Sequence, residues 1–155
     1  MKISIGSDHG GFLLKEEIKK YLLNKGFEVV DVGTYSIESC HYPEFTIKSA
    51  ELVSKGECQF GIGVCTTGEG VVMTANKIKG IRAGIAYNKD VARLMREHND
   101  ANFIVFGAKY TSLEEDMMIT LRLEGMKYRR IGQWLGLSEL AVKTKCNRLK
   151  KEGKL

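Results

Sequence analysis

Proline is nearly absent: Pro43 is the one proline in a chain of 155 residues. Low-complexity tracts are missing too, so composition excludes a disordered linker or a proline-rich recognition segment. No apolar run approaches the roughly 20 residues of a helical membrane span. The N-terminus, Met1-Lys2-Ile3-Ser4-Ile5-Gly6, enters a strand pattern at once, and no signal peptide is expected. Cys40, Cys58, Cys65 and Cys146 form no C-x-x-C and share no metal-ligand spacing with the three histidines. A reduced, cytoplasmic protein without a metal is the expectation. Nor does a G-x-G-x-x-G or Walker lysine follow the first apolar run, so no nucleotide cofactor is expected.

What is present suits one domain with a small appendage, since 43% hydrophobic residues can furnish a sizeable core. Charge divides the chain. Residues 1–111 hold 14 Lys and Arg against 13 Asp and Glu, whereas residues 112–155 hold 10 against 6. The tail presents a different kind of surface.

Up to residue 111 short β runs alternate with helical patterns. Lys2–Gly6 is a strand, and residues 11–25 carry Leu13, Leu14, Ile18, Tyr21 and Leu22 at helical spacing. A strand over Phe27–Val32 follows, then a loop from Tyr35 to Pro43 and a helix from Glu44 to Lys55. Next come the strand Phe60–Val64, a helix to about Lys77, the strand Ile81–Tyr87, a helix from Asn88 as N-cap to about His98, and the strand Ala101–Gly107. This rhythm predicts βαβ units, hence an α/β fold: a doubly wound, three-layer arrangement about a five-stranded parallel sheet. Ligands of such folds bind at the carboxyl ends of the strands.

The stretch Gly61-Ile62-Gly63-Val64-Cys65-Thr66-Thr67-Gly68-Glu69-Gly70 therefore stands out. It reads as a strand, a tight turn and a helix N-terminus with a thiol at the crossing point. Exposed backbone N–H groups and the helix dipole stabilise negative charge there and favour a thiolate at Cys65. The alternative is an ordinary βα turn whose cysteine is a small hydrophobe. Asp8 and His9 follow the first strand, Asn88 the fourth, and Arg96-Glu97-His98-Asn99-Asp100 closes the fourth helix. Acid, imidazole, thiol and hydroxyl are all on loops that could share one crevice. Taken singly, Asp8-His9 is a solvated loop pair and His98 a helix C-cap.

Several motifs, in order, carry a specific resemblance: Gly6-Ser7-Asp8-His9-Gly10-Gly11, Asp31-Val32-Gly33-Thr34, Tyr42-Pro43, Cys65-x-Thr67-Gly68-x-Gly70, Ala75-Asn76-Lys77, Gly80-Ile81-Arg82-Ala83 and Arg96 to Asn102. Over residues 1 to about 110 the chain resembles the type B ribose-5-phosphate isomerase family, which also holds the galactose-6-phosphate isomerase subunits. The resemblance implies aldose–ketose isomerisation of a sugar phosphate, most simply ribose 5-phosphate to ribulose 5-phosphate, without metal or nucleotide. It implies Cys65 as the base, Thr67 as an aid to proton movement between the two oxygens, and His98 with Asp8 opening the furanose ring. His9 and Asn99 would bind substrate, and the backbone of Thr66, Gly68, Glu69 and Gly70 would stabilise the enediolate oxyanion. A homodimer with sites completed across the interface is implied as well.

The chain departs from that pattern at three places. Thr66 stands where glycine is usual, at a steric cost if the position needs positive φ. His41 stands where aspartate is common. The closing Gly-Gly-Arg-His segment and a further arginine, which grip phosphate in the family, are missing, and Lys109 takes an arginine's place as a point charge.

In their stead residues 112–155 read as three helices. Ser112 with Glu114, Glu115 and Asp116 opens the first, on which Leu113, Met117 and Leu121 form a stripe. Gly125 breaks it, Lys127–Leu135 forms the second, and Gly136-Leu137-Ser138 turns into a last helix to about Lys151 with Val142, Cys146 and Leu149 on its apolar face. This basic segment resembles the helix-turn-helix of transcription regulators. Three uses are open to it: DNA binding through Lys143, Lys145 and Arg148, packing on a dimer, or supply of Arg129 and Arg130 to the substrate phosphate. The expected organisation is an isomerase-like domain over 1–111 and a basic three-helix extension over 112–155. A regulator that senses a sugar phosphate is the alternative to an enzyme.

Overall fold

The apolar runs become five parallel strands in a single sheet: β1 (Lys2–Ser7), β2 (Glu28–Asp31), β3 (Phe60–Cys65), β4 (Ala83–Ile85) and β5 (Phe103–Gly107). The computed structural model describes residues 1–111, 118–119, 121–123, 125–135 and 137–155. Contacts divide the chain into two compact units, Met1–Thr111 and Ser112–Leu155.

In the first unit the strand order is β2-β1-β3-β5-β4. The helices are α1 (Phe12–Asn24), α2 (Tyr42–Ser54), α3 (Glu69–Ala75) and α4 (Lys89–Glu97). The chain winds outward from β1 to β2, then crosses back to β3 and on to the far edge. Right-handed crossovers therefore put helices on both faces, the doubly wound arrangement expected from the sequence. Its topological switch lies between β1 and β3.

The central strands are buried on both faces, as parallel strands under two helical layers must be. Ser4, buried in β1, is satisfied by the Ser49 carbonyl at 2.9 Å and by the Ser49 hydroxyl at 2.9 Å, which ties the strand to α2. Gly61 and Gly63 of β3 leave the space that the Phe103 ring fills from β5. Ala50 and Val53 of α2, Val71 and Ala75 of α3, and Phe103 and Val105 build one continuous core with Cys65 at its rim.

Element boundaries differ from expectation in instructive ways. Helix α2 begins at Tyr42 rather than Glu44, with Pro43 in its first turn. A proline is tolerated there because the first N–H groups of a helix have no intrahelical partner. Helix α3 stops at Ala75, where the Asn76 side chain turns to β4: it donates to Ala83 O at 2.9 Å and accepts from Ala83 N at 2.9 Å. Asn88 caps α4 as expected, its side chain accepting from Val91 N.

In the second unit residues 121–123 are helical, followed by α5 (Tyr128–Leu135) and α6 (Glu139–Lys151). Met118, Ile131, Val142 and Cys146 are fully buried together. Ser138 caps α6 as the sequence suggested, accepting from Ala141 N at 3.1 Å. The expected opening of the first tail helix, Ser112 to Met117, falls outside the described residues, as does Gly136. Among the described residues no helix is long and apolar enough to cross a membrane.

Candidate active site

The ladder between β1 and β3 pairs Ser7 with Val64, so the next residues, Asp8 and Cys65, begin two loops side by side at the carboxyl edge of the sheet. This is the switch point of the winding, where neighbouring loops diverge and leave a crevice.

Glycines bring the two loops into contact. A Cβ at Gly11 would lie 2.6 Å from the Val64 carbonyl, so only glycine lets the turn after β1 rest on the end of β3. Asp8 is buried, and its Oδ1 accepts from Gly11 N at 3.0 Å, which fixes the carboxylate at the head of that turn. His9 is exposed, with Nδ1 3.2 Å from Cys40 N and 4.0 Å from Cys40 Sγ. Ser7 is buried beside them, and its hydroxyl has no hydrogen-bond partner among the described residues.

Cys65 is itself 6% exposed. Gly68 N–H donates to its Sγ at 3.1 Å. That contact points a backbone amide at the sulfur and fixes where it sits at the mouth of the loop. Gly68 has φ of +91°, which turns the chain sharply into α3 and gives the loop this shape. Thr66 and Thr67 are exposed, and Glu69 N donates to Thr67 Oγ1 at 3.4 Å. Thr66 carries no backbone strain: among the described non-glycine residues only Asp100 has positive φ. The cost foreseen for threonine at that position is therefore absent, and its side chain instead sits against Gly10. From below, Ala108 N and Lys109 N donate to Cys65 O at 2.8 Å and Thr66 O at 3.0 Å, so the turn after β5 cradles the cysteine loop. The Lys109 side chain is exposed, with its ammonium over the Tyr110 ring.

Two neighbours escaped the sequence reading as site residues. Tyr42 lies against Gly70, where a Cβ would come within 2.8 Å of its hydroxyl. The Tyr42-Pro43 pair was the available signal. Cys40 meets His9 across 31 positions of sequence, and no local pattern announces that contact.

His98 and Asn99 are placed elsewhere. They end α4 and precede β5, so they lie at the amino edge of the sheet. The Asn99 carbonyl accepts from Arg82 Nε just ahead of β4, and Arg96 of the same cluster stands over the Phe60 ring at the start of β3. The six residues of β3 put about 16 Å between that edge and Cys65. Within one chain the single crevice expected for all these groups is corrected. Asp8, His9, Cys65, Thr66, Thr67, Gly68, Glu69, Gly70 and Lys109 gather at one edge, and His98 with Asn99 at the other. Arg129, Arg130, Lys143, Lys145 and Arg148 belong to the second compact unit. Among the described residues no group of three or more His, Cys, Asp or Glu could hold a metal ion.

Known proteins share this sequence pattern and fold. Residues 3–129 match the family model described as ribose/galactose isomerase. That match stops short of nearly all of α5 and of the whole of α6. Ribose-5-phosphate isomerase B of Escherichia coli strain K12 is 42% identical over 127 residues, 82% of this chain and 85% of that protein. The crystal structure of a ribose 5-phosphate isomerase from Thermotoga maritima is 47% identical with a TM-score of 0.72, covering 73% of this chain and 78% of the other. A ribose-5-phosphate isomerase B structure from Clostridium thermocellum is 41% identical with a TM-score of 0.72, covering 98% and 99%. With a parallel sheet wound as theirs and a match across four-fifths of its length, the chain belongs to the ribose/galactose isomerase family and is an aldose–ketose isomerase of sugar phosphates.

Proposed function

We propose that the substrate pair is ribose 5-phosphate and ribulose 5-phosphate, and that Cys65 is the base. The observation that carries this is the placement of Cys65 Sγ at the carboxyl end of β3, 3.1 Å from Gly68 N and beside buried Asp8. As a thiolate, Cys65 takes the proton from C2 of the open-chain aldose and leaves an enediolate. The same sulfur returns the proton to C1, which gives the ketose. Backbone N–H groups of the turn from Thr66 to Gly70 stabilise the charge that develops on oxygen. The Thr67 hydroxyl relays a proton between O1 and O2. Lys109, exposed at the same edge, contributes positive charge toward the phosphate, and the exposed His9 ring offers it a hydrogen bond.

His98 and Asn99 stand at the opposite edge, so their roles in ring opening and substrate binding require a second copy of the chain to bring them to Cys65. This supports a homodimer in which each site takes Asp8, Cys65 and Thr67 from one chain and His98 with Asn99 from the other.

The test is turnover of a panel of aldose phosphates, ribose 5-phosphate first, in metal-free buffer. Cys65→Ala is expected to lower kcat about 10²–10⁴-fold, the range for loss of a positioned acid–base group. Near-normal turnover by that variant would remove Cys65 as the base. Binding of sugar phosphates with no turnover of any by the unaltered chain would favour the sensor alternative.

A further inference from the structure

The second unit carries a helix pair and a basic face that form a compact body of their own. Helices α5 and α6 are joined by only three residues, 136–138. The junction is tight: Leu137 N donates to Gly132 O at 2.9 Å, and a Cβ at Gly132 would lie 2.5 Å from the Leu137 carbonyl. Only glycine lets the turn press onto α5 in this way. Ser138 starts α6 with a side-chain cap, and Ile131, Val142 and Cys146 lock the two helices over a common core, each of them fully buried. A helix pair fixed by a short glycine-dependent turn is the geometry of a helix-turn-helix.

The outer face of α6 is as ordered as its inner one. Val142, Cys146 and Leu149 point inward. Opposite them Leu140, Lys143, Thr144, Asn147 and Lys151 fall on one exposed stripe at helical spacing, flanked by Arg148 and Lys150. Leu140 is 73% exposed in the first turn, an unfavourable position for a large apolar side chain facing only water. Charge is concentrated on this part of the chain: residues 125–155 hold nine Lys and Arg against two Glu, while residues 1–124 hold 15 against 17. Arg148 lies 3.9 Å from Glu152, and Glu139 opens the helix, so both acids stand at the ends of α6 and leave the middle of its exposed stripe basic and polar.

We propose that residues 128–151 are a binding site for duplex DNA, with α6 entering the major groove. The chemistry of the stripe divides as such a helix requires. Lys143, Lys150 and Lys151 neutralise phosphates, and Arg129 and Arg130 at the start of α5 reach the flanking backbone. Thr144 and Asn147 carry the donors and acceptors that read base edges, asparagine pairing with adenine, and Leu140 meets a thymine methyl. B-form DNA is the ligand because its major groove admits a helix, whereas that of A-form RNA is too deep and narrow.

The test uses the full chain. Selection from a duplex library with a 20-base-pair random core is followed by fluorescence anisotropy on the enriched duplex and a scrambled one. An enriched sequence is expected, bound tighter than the scrambled duplex, with affinity falling about a hundredfold between 50 and 200 mM salt if about four phosphates are contacted. Lys143→Glu with Lys151→Glu should weaken binding to every duplex at least tenfold. Asn147→Ala should lower the preference for the selected sequence and keep the scrambled-duplex affinity. These positions are exposed, and circular dichroism of the variants verifies that the helices remain. Failure to enrich any sequence, indifference to both substitutions, or equal competition by an RNA duplex would overturn the proposal. Isomerase turnover is measured on the same preparations, so the catalytic and the DNA-binding assignments stand or fall separately.

Discussion

Thr66 and Gly10 form the most informative pair at the scale of single residues. Threonine replaces the smaller residue usual at position 66, and its Oγ1 occupies the space where a Cβ at Gly10 would go. The pair is coupled by sterics alone. Gly10→Ala in the unaltered chain is expected to destabilise by about 1 kcal/mol, the low end for a forced overlap, because both residues are exposed and the Thr66 hydroxyl can rotate aside. In a Thr66→Gly background the same change should cost less, with a coupling of about 0.5 kcal/mol in a double-mutant cycle from urea denaturation. Equal costs in both backgrounds would show that the two loops do not constrain each other. The sequence flagged Thr66 as unusual, with a steric cost conditional on positive φ, and that condition is not met. The structure shows ordinary φ and a side-chain contact with a residue 56 positions earlier. Local sequence carries backbone preference and says nothing about which distant glycine sits opposite.

At the scale of elements, the junction of α1 with β2 shows the same limit and yields a pH prediction. Of the apolar residues read at helical spacing on α1, Leu14, Ile18 and Leu22 are buried, while Leu13 is exposed. The helical pattern could not place Lys15, which is fully buried, because its partners come from elsewhere: Asp31 Oδ2 at 2.7 Å, at the end of β2, and Glu16 at 2.6 Å. Lys19 reaches the same Asp31 oxygen at 2.7 Å. Burial raises the Asp31 carboxyl, but hydrogen bonds from Lys15, Lys19 and the Gly33 N–H outweigh it and hold the group below the ordinary aspartate value. The stabilisation linked to a depressed carboxylate is complete above its unfolded pKa of about 3.9 and is lost as pH falls through the lower folded value. The urea midpoint should therefore fall on going from pH 5 to pH 3. In Asp31→Asn, already less stable at neutral pH, that fall should be shallower. An identical slope in the variant would mean that other carboxylates govern the acid limb. Strand order, by contrast, was beyond periodicity altogether: β5 lies between β3 and β4, and only the ladders reveal it.

At the scale of the whole molecule, the decisive fact is that one sheet has two edges. The motifs holding Asp8, Cys65 and His98 were all legible in the sequence, and their convergence on a single crevice was the natural reading of a chain met as a line. Winding separates them, because loops after strands collect at the carboxyl edge and the turn after α4 collects at the amino edge. On the proposed assignment, Cys65 and His98 meet when two chains share their sites, as isologous C2 association allows. This gives a complementation test. Cys65→Ala and His98→Ala homodimers should each be nearly inactive. In a mixed dimer one site receives both substitutions and the other receives none. Random reassortment after co-expression or refolding of equal amounts should then restore about a quarter of the unaltered activity, since half of the dimers are mixed and each holds one intact site. If Cys65 and His98 served the same site from within one chain, every site in the mixture would lack one of them and no activity would return. Full activity of His98→Ala alone would instead remove the histidine from the reaction and leave the carboxyl edge to act by itself.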